Sequence, residues 1–195
     1  MNTKSLPTTE QIKTPFLKFA SATLGVTLMA AGLFLTAPRA NADDMTTAPS
    51  AIATTDKDFM LAAAQGGMTE VKLGALAAQN GTRQEVKDFG GMMVKDHTTI
   101  NDDLKALAAQ KSVSLPDMLD EKHQAMVDKM GALSGAEFDK AYVAAMIKAH
   151  KKDLKAFQAE ASATQDTDIK SFVEKAIPTI SAHLQHIQDL KSMMP

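Results

Sequence analysis

The 195-residue sequence predicts an all-α protein, a four-helix bundle with a short extra helix in the connection between its second and third long helices. Three observations carry this. Apolar residues recur at alternating steps of three and four along four separate stretches, the spacing of one buried helix face. No stretch sustains the apolar–polar alternation of a half-buried strand. Alanine and methionine are plentiful, while there are eight phenylalanines, one tyrosine and no tryptophan. Cysteine is absent, so no disulfide or thiolate ligand contributes and stability must come from packing.

The first 42 residues read as a secretory signal peptide. Lys4, Lys13 and Lys18 form a basic start, residues 19–37 are uncharged and mostly apolar, and Ala40-Asn41-Ala42 offers a small-x-small cleavage site. The apolar run approaches spanning length, but its Ser, Thr and Gly content and the cleavage site favour removal over a retained anchor. The expected product is exported, periplasmic or extracellular, and begins at Asp43. Cleavage takes away Lys4, Lys13, Lys18, Arg39 and Glu10, which leaves 17 basic and 22 acidic side chains and a net charge of −5. That balance offers nothing to nucleic acid or to an anionic membrane. No stable membrane span is expected after cleavage, and no protein partner is identified.

Residues 43–55, rich in Thr, Ala, Asp and Pro, form a tether. A helical domain over residues 56–193 follows. The first long helix is predicted to start at Asp56 as N-cap and to stop at Asn80-Gly81, with the stripe Phe59, Ala63, Gly66, Glu70, Leu73, Ala77. The second starts after Thr82, with Glu85 completing a capping box, and ends near Lys111. Its stripe is Val86, Gly90, Met93, His97, Ile100, Leu104, Leu107. A short helix begins after Pro116 and ends near Gly131. Ser134 caps the third long helix, whose stripe is Val143, Ile147, His150, Leu154, Phe157. Asp166 or Thr167 caps the fourth, with the stripe Ile169, Val173, Ala176, Ile180, His183, Ile187, Leu190 and a kink expected at Pro178. Two short turns and one connection of about twenty residues give the ferritin-like connectivity; a plain up-down bundle with a helical elbow is the alternative.

Each stripe is apolar except for one ionisable residue: Glu70, His97, His150 or His183. Burying such groups costs several kcal/mol unless they are paired or coordinated. One carboxylate and three imidazoles suit a single transition metal ion, zinc, iron or copper. With a long crossover the four fall within roughly 9 Å of one level, which allows one central site or two partial ones. Asp139, Tyr142 and His186 are candidates to support the ligands. Asp96 points about 100° away from His97 and is read as solvated or as a supporting group. The eleven methionines of the mature chain could ligate copper(I), but core filling is their commoner use. No phosphate loop, nucleophile elbow or cysteine nucleophile is present, and no catalytic residue is assigned.

The segments "AAAQGGMTEVKLGALA", "MVKDH", "GAEFDKAY", "AHKKDL" and "IPTISAHL" together resemble a bacterial family of exported ferritin-like helical proteins. That family is catalogued as a domain of unknown function and often labelled outer-membrane protein. The resemblance spans about residues 55 to 192. It implies a ferritin-like bundle and a periplasmic or extracellular location, and it brings no reaction. The sequence carries no β-barrel pattern. Ferritin-like di-iron sites place glutamate three residues before histidine; here those positions are Val94 and Ile180, which argues against an oxygen-activating di-iron centre. Two functions follow as expectations: metal handling or stress protection through a core metal ion, or a non-enzymatic structural or interaction module of the cell envelope with a buried Glu–His network. A third use of the same imidazoles, as proton acceptors near pH 5–6, would loosen the bundle on acidification.

Overall fold

A computed structural model describes residues 52–195. The signal segment and residues 43–51 of the tether lie outside the described residues. Five helices form, and no strand occurs among the described residues: α1 (Thr54–Asn80), α2 (Gln84–Gln110), α3 (Glu121–Gly131), α4 (Gly135–Ala163) and α5 (Thr167–Ser192). No described helix is long and apolar enough to cross a membrane.

Three contacts between helix ends establish the topology. The Asp139 carboxylate, in the first turn of α4, accepts the Thr82 and Arg83 amides at 2.9 Å each, so α2 and α4 begin at the same end. Lys111, just past α2, pairs with Asp166 and Asp168 at the start of α5, both at 2.7 Å. The Thr164 hydroxyl, just past α4, donates to Asp56 in the first turn of α1 at 3.0 Å. The connection through α3 therefore runs the length of the bundle, as in ferritin-like folds. Helices α1 and α2 pack closely as one hairpin and α4 and α5 as another, while α3 lies against α1.

The core divides into two apolar clusters. One gathers Met60, Leu104, Phe157, Ile169, Val173 and Ile180; the other gathers Leu73, Phe89, Met93, Phe138, Met146 and Ile187. Along every long helix the ionisable stripe residue falls between the two, so Glu70, His97, His150 and His183 form a polar layer sealed by apolar residues above and below.

Several local expectations are corrected. Helix α1 starts at Thr54 with Ala53 as N-cap, and the Asp56 carboxylate serves Thr164 rather than its own helix. The α1 stripe is offset by one residue in its first half, burying Met60, Ala64 and Gly67, because Gly67 packs directly against the Asn101 side chain of α2. The Thr82–Glu85 capping box does not form; Arg83 is the N-cap, and Asp139 accepts the Thr82 and Arg83 amides from another helix. Ser134 is the N-cap of α4 but makes no side-chain cap bond. The short helix begins at Glu121, capped by Asp120, rather than straight after Pro116. Asp166 does cap α5, accepting the Asp168 and Ile169 amides, and the helix runs on through Pro178.

The junction of α1 and α4 carries a titration effect. Burial, together with the neighbouring Asp56 carboxylate, pushes Glu160 from 4.5 up to about 7. The folded state therefore keeps a proton that the unfolded chain releases above pH 4.5, and stability falls as pH rises from about 4.5 to about 7. Glu160→Gln removes the charge that is penalised. It is expected to stabilise the protein at pH 8 by on the order of 1–3 kcal/mol and to change little at pH 4, as read from urea titrations at the two pH values.

Candidate metal centre

Helix geometry carries one side chain from each long helix into the layer between the two apolar clusters. Relative exposure is 5% for Glu70, 3% for His97, 0% for His150 and 2% for His183. One ring nitrogen from each histidine lies within 4.8 Å of the other two.

The hydrogen bonds assign the nitrogens. His97 Nδ1 sits 3.0 Å from Glu70 Oε2 and donates to it. His150 Nδ1 donates to the Met146 carbonyl at 3.0 Å, one turn back on its own helix. His183 Nε2 donates to Asp96 Oδ2 at 3.0 Å. Each imidazole thus commits one N–H to a fixed acceptor, and the second nitrogen of each neutral ring carries a lone pair. Two of these, His97 Nε2 and His183 Nδ1, face each other at 3.3 Å. The third, His150 Nε2, is buried without a hydrogen-bond partner. Facing lone pairs repel unless a proton or a metal cation lies between them. Two nitrogens each about 2.0–2.1 Å from a tetrahedral ion would stand about 3.3 Å apart.

The electrostatics place charge on one side of the layer. Burial works against the Glu70 carboxylate, but His97 and His150 outweigh it and lower its pKa. Burial likewise opposes protonation of His97, yet the Glu70 charge and hydrogen bond prevail and raise it. His150 and His183 are lowered, chiefly by burial, with Glu70 and Asp96 only partly offsetting it. The layer therefore contains an anionic Glu70 beside His97 and two neutral imidazoles with free nitrogens.

The residues singled out in the sequence take different places. Glu70 stands behind His97, outside the three-nitrogen group, with Oε1 at 3.5 Å from His150 Nδ1, because its carboxylate faces the committed N–H side of the rings. Asp139 is engaged by the α2 amides and touches no histidine of the layer. His186 is exposed and rests edge-on against Phe89, with centroids 5.3 Å apart. Tyr142 is fully buried and stacked on Phe138. Its hydroxyl has no partner, and burial together with the Glu70 charge raises its pKa. An unpaired buried hydroxyl is costly, so Tyr142→Phe is expected to raise stability by about 1 kcal/mol, roughly 2–4 °C in Tm by calorimetry.

One residue was not picked out in advance. Asp153 lines the same small cavity as Glu70, and burial with the Glu70 charge pushes it up to about 7. The available signal was its place three residues after His150, on a neighbouring strip of the same helix face.

Residues 41–190 match the model of a family described as Domain of unknown function (DUF4142). The chain belongs to that family. No curated protein matches this DUF4142 chain in sequence. Among solved structures it is similar to a DUF305 fragment from Deinococcus radiodurans, with a TM-score of 0.63 at 10% identity over 71% of this chain and 95% of that one. It is also similar to CopM in its Cu(I)-bound form, with a TM-score of 0.59 at 16% identity over 70% of this chain and 95% of that one. At such identities the likeness establishes a shared helical-bundle fold.

Proposed function

We propose that this DUF4142 protein is exported and holds one transition metal ion in its bundle core, for metal handling or stress protection in the periplasm or outside the cell. The ligands are His97 Nε2, His183 Nδ1 and His150 Nε2. Glu70, Asp96 and the Met146 carbonyl fix the three rings by accepting their other N–H groups, as the partners of metal-bound histidines commonly do. Glu70 also supplies negative charge close to the cation. The observation that carries this reading is the meeting of three buried histidines, one ring nitrogen of each within 4.8 Å of the other two, with one N–H of each ring bonded to a fixed acceptor. Three imidazoles without thiolate suit zinc or copper, and a structural neighbour solved with Cu(I) supports copper. Export rests on the N-terminal segment.

The test uses protein made without a histidine tag, titrated with Zn²⁺ and, under reducing conditions, with Cu(I). One equivalent should bind, and a strong chelator should lower the Tm of the loaded protein. Failure of both metals to bind stoichiometrically would overturn the proposal.

A second reading is favoured by the 3.3 Å contact between His97 and His183. With His97 protonated, Nε2–H donates to His183 Nδ1, and the layer becomes a Glu–His–His network that sets helix register in a structural or interaction module. Chelators would then leave the Tm unchanged.

A further inference from the structure

A buried site needs a route for its ion, and the apolar clusters close both ends of the layer. The seams between helices remain. A cavity of about 20 Å³ lies against the layer, walled by Gly66, Gly67 and Glu70 of α1, His97 and Asn101 of α2, and Asp153 of α4. That volume admits one water or one small ion. Gly66 and Asp153 are both partly exposed, so the cavity reaches solvent where α1 and α4 meet. A Cβ added at Gly66 would meet nothing within 4 Å, so this wall is open because the residue lacks a side chain.

A second groove holding a carboxylate that binds a layer histidine lies between α2 and α5. This groove, about 180 Å³, is lined by Asp96, Asp103, Lys175 and Thr179 but by none of the three layer histidines. Asp96 there accepts the His183 Nε2–H. The cavity at the α1–α4 seam is lined by Glu70 and His97 themselves. Glu70 Oε1 is buried without a hydrogen-bond partner, an acceptor between Asp153 and the imidazoles.

We propose that metal ions enter the three-histidine site through the α1–α4 seam, received by the Asp153 carboxylate and passed by Glu70 to the imidazoles. This rests on the reading that the histidines hold an ion. It adds a path and gives Asp153 a role in the rate of loading. Gly66 forms the open wall of that path.

Stopped-flow absorbance with Co²⁺ tests it on the full domain, alongside equilibrium titration of the same samples. Asp153→Asn, nearly isosteric, should slow association about tenfold, the low end of charge-steered rate effects. Gly66→Leu should slow association and dissociation together by about tenfold and leave Kd within about twofold, because a blocked path changes the barrier and not the end states. Thr179→Leu, which fills the α2–α5 groove, should leave both rates unchanged. Wild-type rates in both Asp153→Asn and Gly66→Leu would overturn the route while leaving the site standing. Slowing by Thr179→Leu but not by Gly66→Leu would do the same, placing entry at Asp96. No equilibrium binding of Co²⁺ by the wild type would overturn the site reading for this ion and the route with it.

Discussion

His183→Ala is expected to weaken metal binding at least about 100-fold, a loss of about 2.7 kcal/mol, in a competition titration against a chelator of known affinity. The size follows from its position. His183 Nδ1 faces His97 Nε2 at 3.3 Å, and its opposite nitrogen is anchored on Asp96. Alanine removes one of the three imidazole donors. His97→Ala and His150→Ala should fall in the same range. Glu70→Gln should cost about tenfold, since the amide oxygen still accepts from His97 while the charge is gone; losing an orienting partner typically costs 10–100-fold. The metal-free proteins separate the two functional readings. If the layer is a protonated network, His183→Ala leaves the buried His97 Nε2–H without its acceptor and costs the metal-free protein about 1–3 kcal/mol. If the layer is a ligand set, the same change removes facing lone pairs and costs the metal-free protein little. Equal affinity in wild type and His183→Ala would remove His183 from the ligand set.

The alignment of these four residues was legible because a helix face can be counted. Steps of three and four place Glu70, His97, His150 and His183 on inner stripes, and the single long connection sets them at similar levels. Which nitrogen of each ring stays free was not legible, since it depends on a carbonyl one turn back for His150 and on carboxylates of α1 and α2 for the other two. Asp153 escaped because it lies beside its stripe and acts through Glu70. The capping of α2 escaped for a similar reason. A local box at Thr82 and Glu85 satisfied the sequence rule, but Asp139, more than fifty residues away, takes the Thr82 and Arg83 amides instead. In α1 the offset arose where glycines, which carry no hydrophobic signal, mark the closest helix contact.

A second close contact of α1 with α2, where Gly74 meets Gly90, predicts the largest change in stability. A Cβ added at Gly90 would lie 2.6 Å from the Gly74 carbonyl oxygen, 2.7 Å from Ala78 N and 2.8 Å from Ala77 Cβ. Two of these neighbours are backbone of α1 and the third is bound to it, so no rotamer change relieves the overlap and the helices must separate. Gly90→Ala is expected to destabilise the protein by about 2–3 kcal/mol, even after the gain of up to about 1 kcal/mol in helix propensity. For a domain of this size that lowers Tm by roughly 5–10 °C. The next residue provides the control. Gly91 is exposed, and a Cβ there would meet nothing within 4 Å. Gly91→Ala should therefore stabilise by up to about 1 kcal/mol. Two adjacent glycines of one helix thus have opposite expected signs, and Tm values of similar size and direction would refute the packing argument. The same spacing bears on the metal layer. Gly74 lies one turn beyond Glu70, and Gly90 lies two turns before His97. Forcing α1 from α2 at Gly90 lengthens the 3.0 Å bond that holds the His97 ring. Gly90→Ala should therefore also weaken metal binding about tenfold, the low end for losing an orienting partner, with Gly91→Ala unchanged.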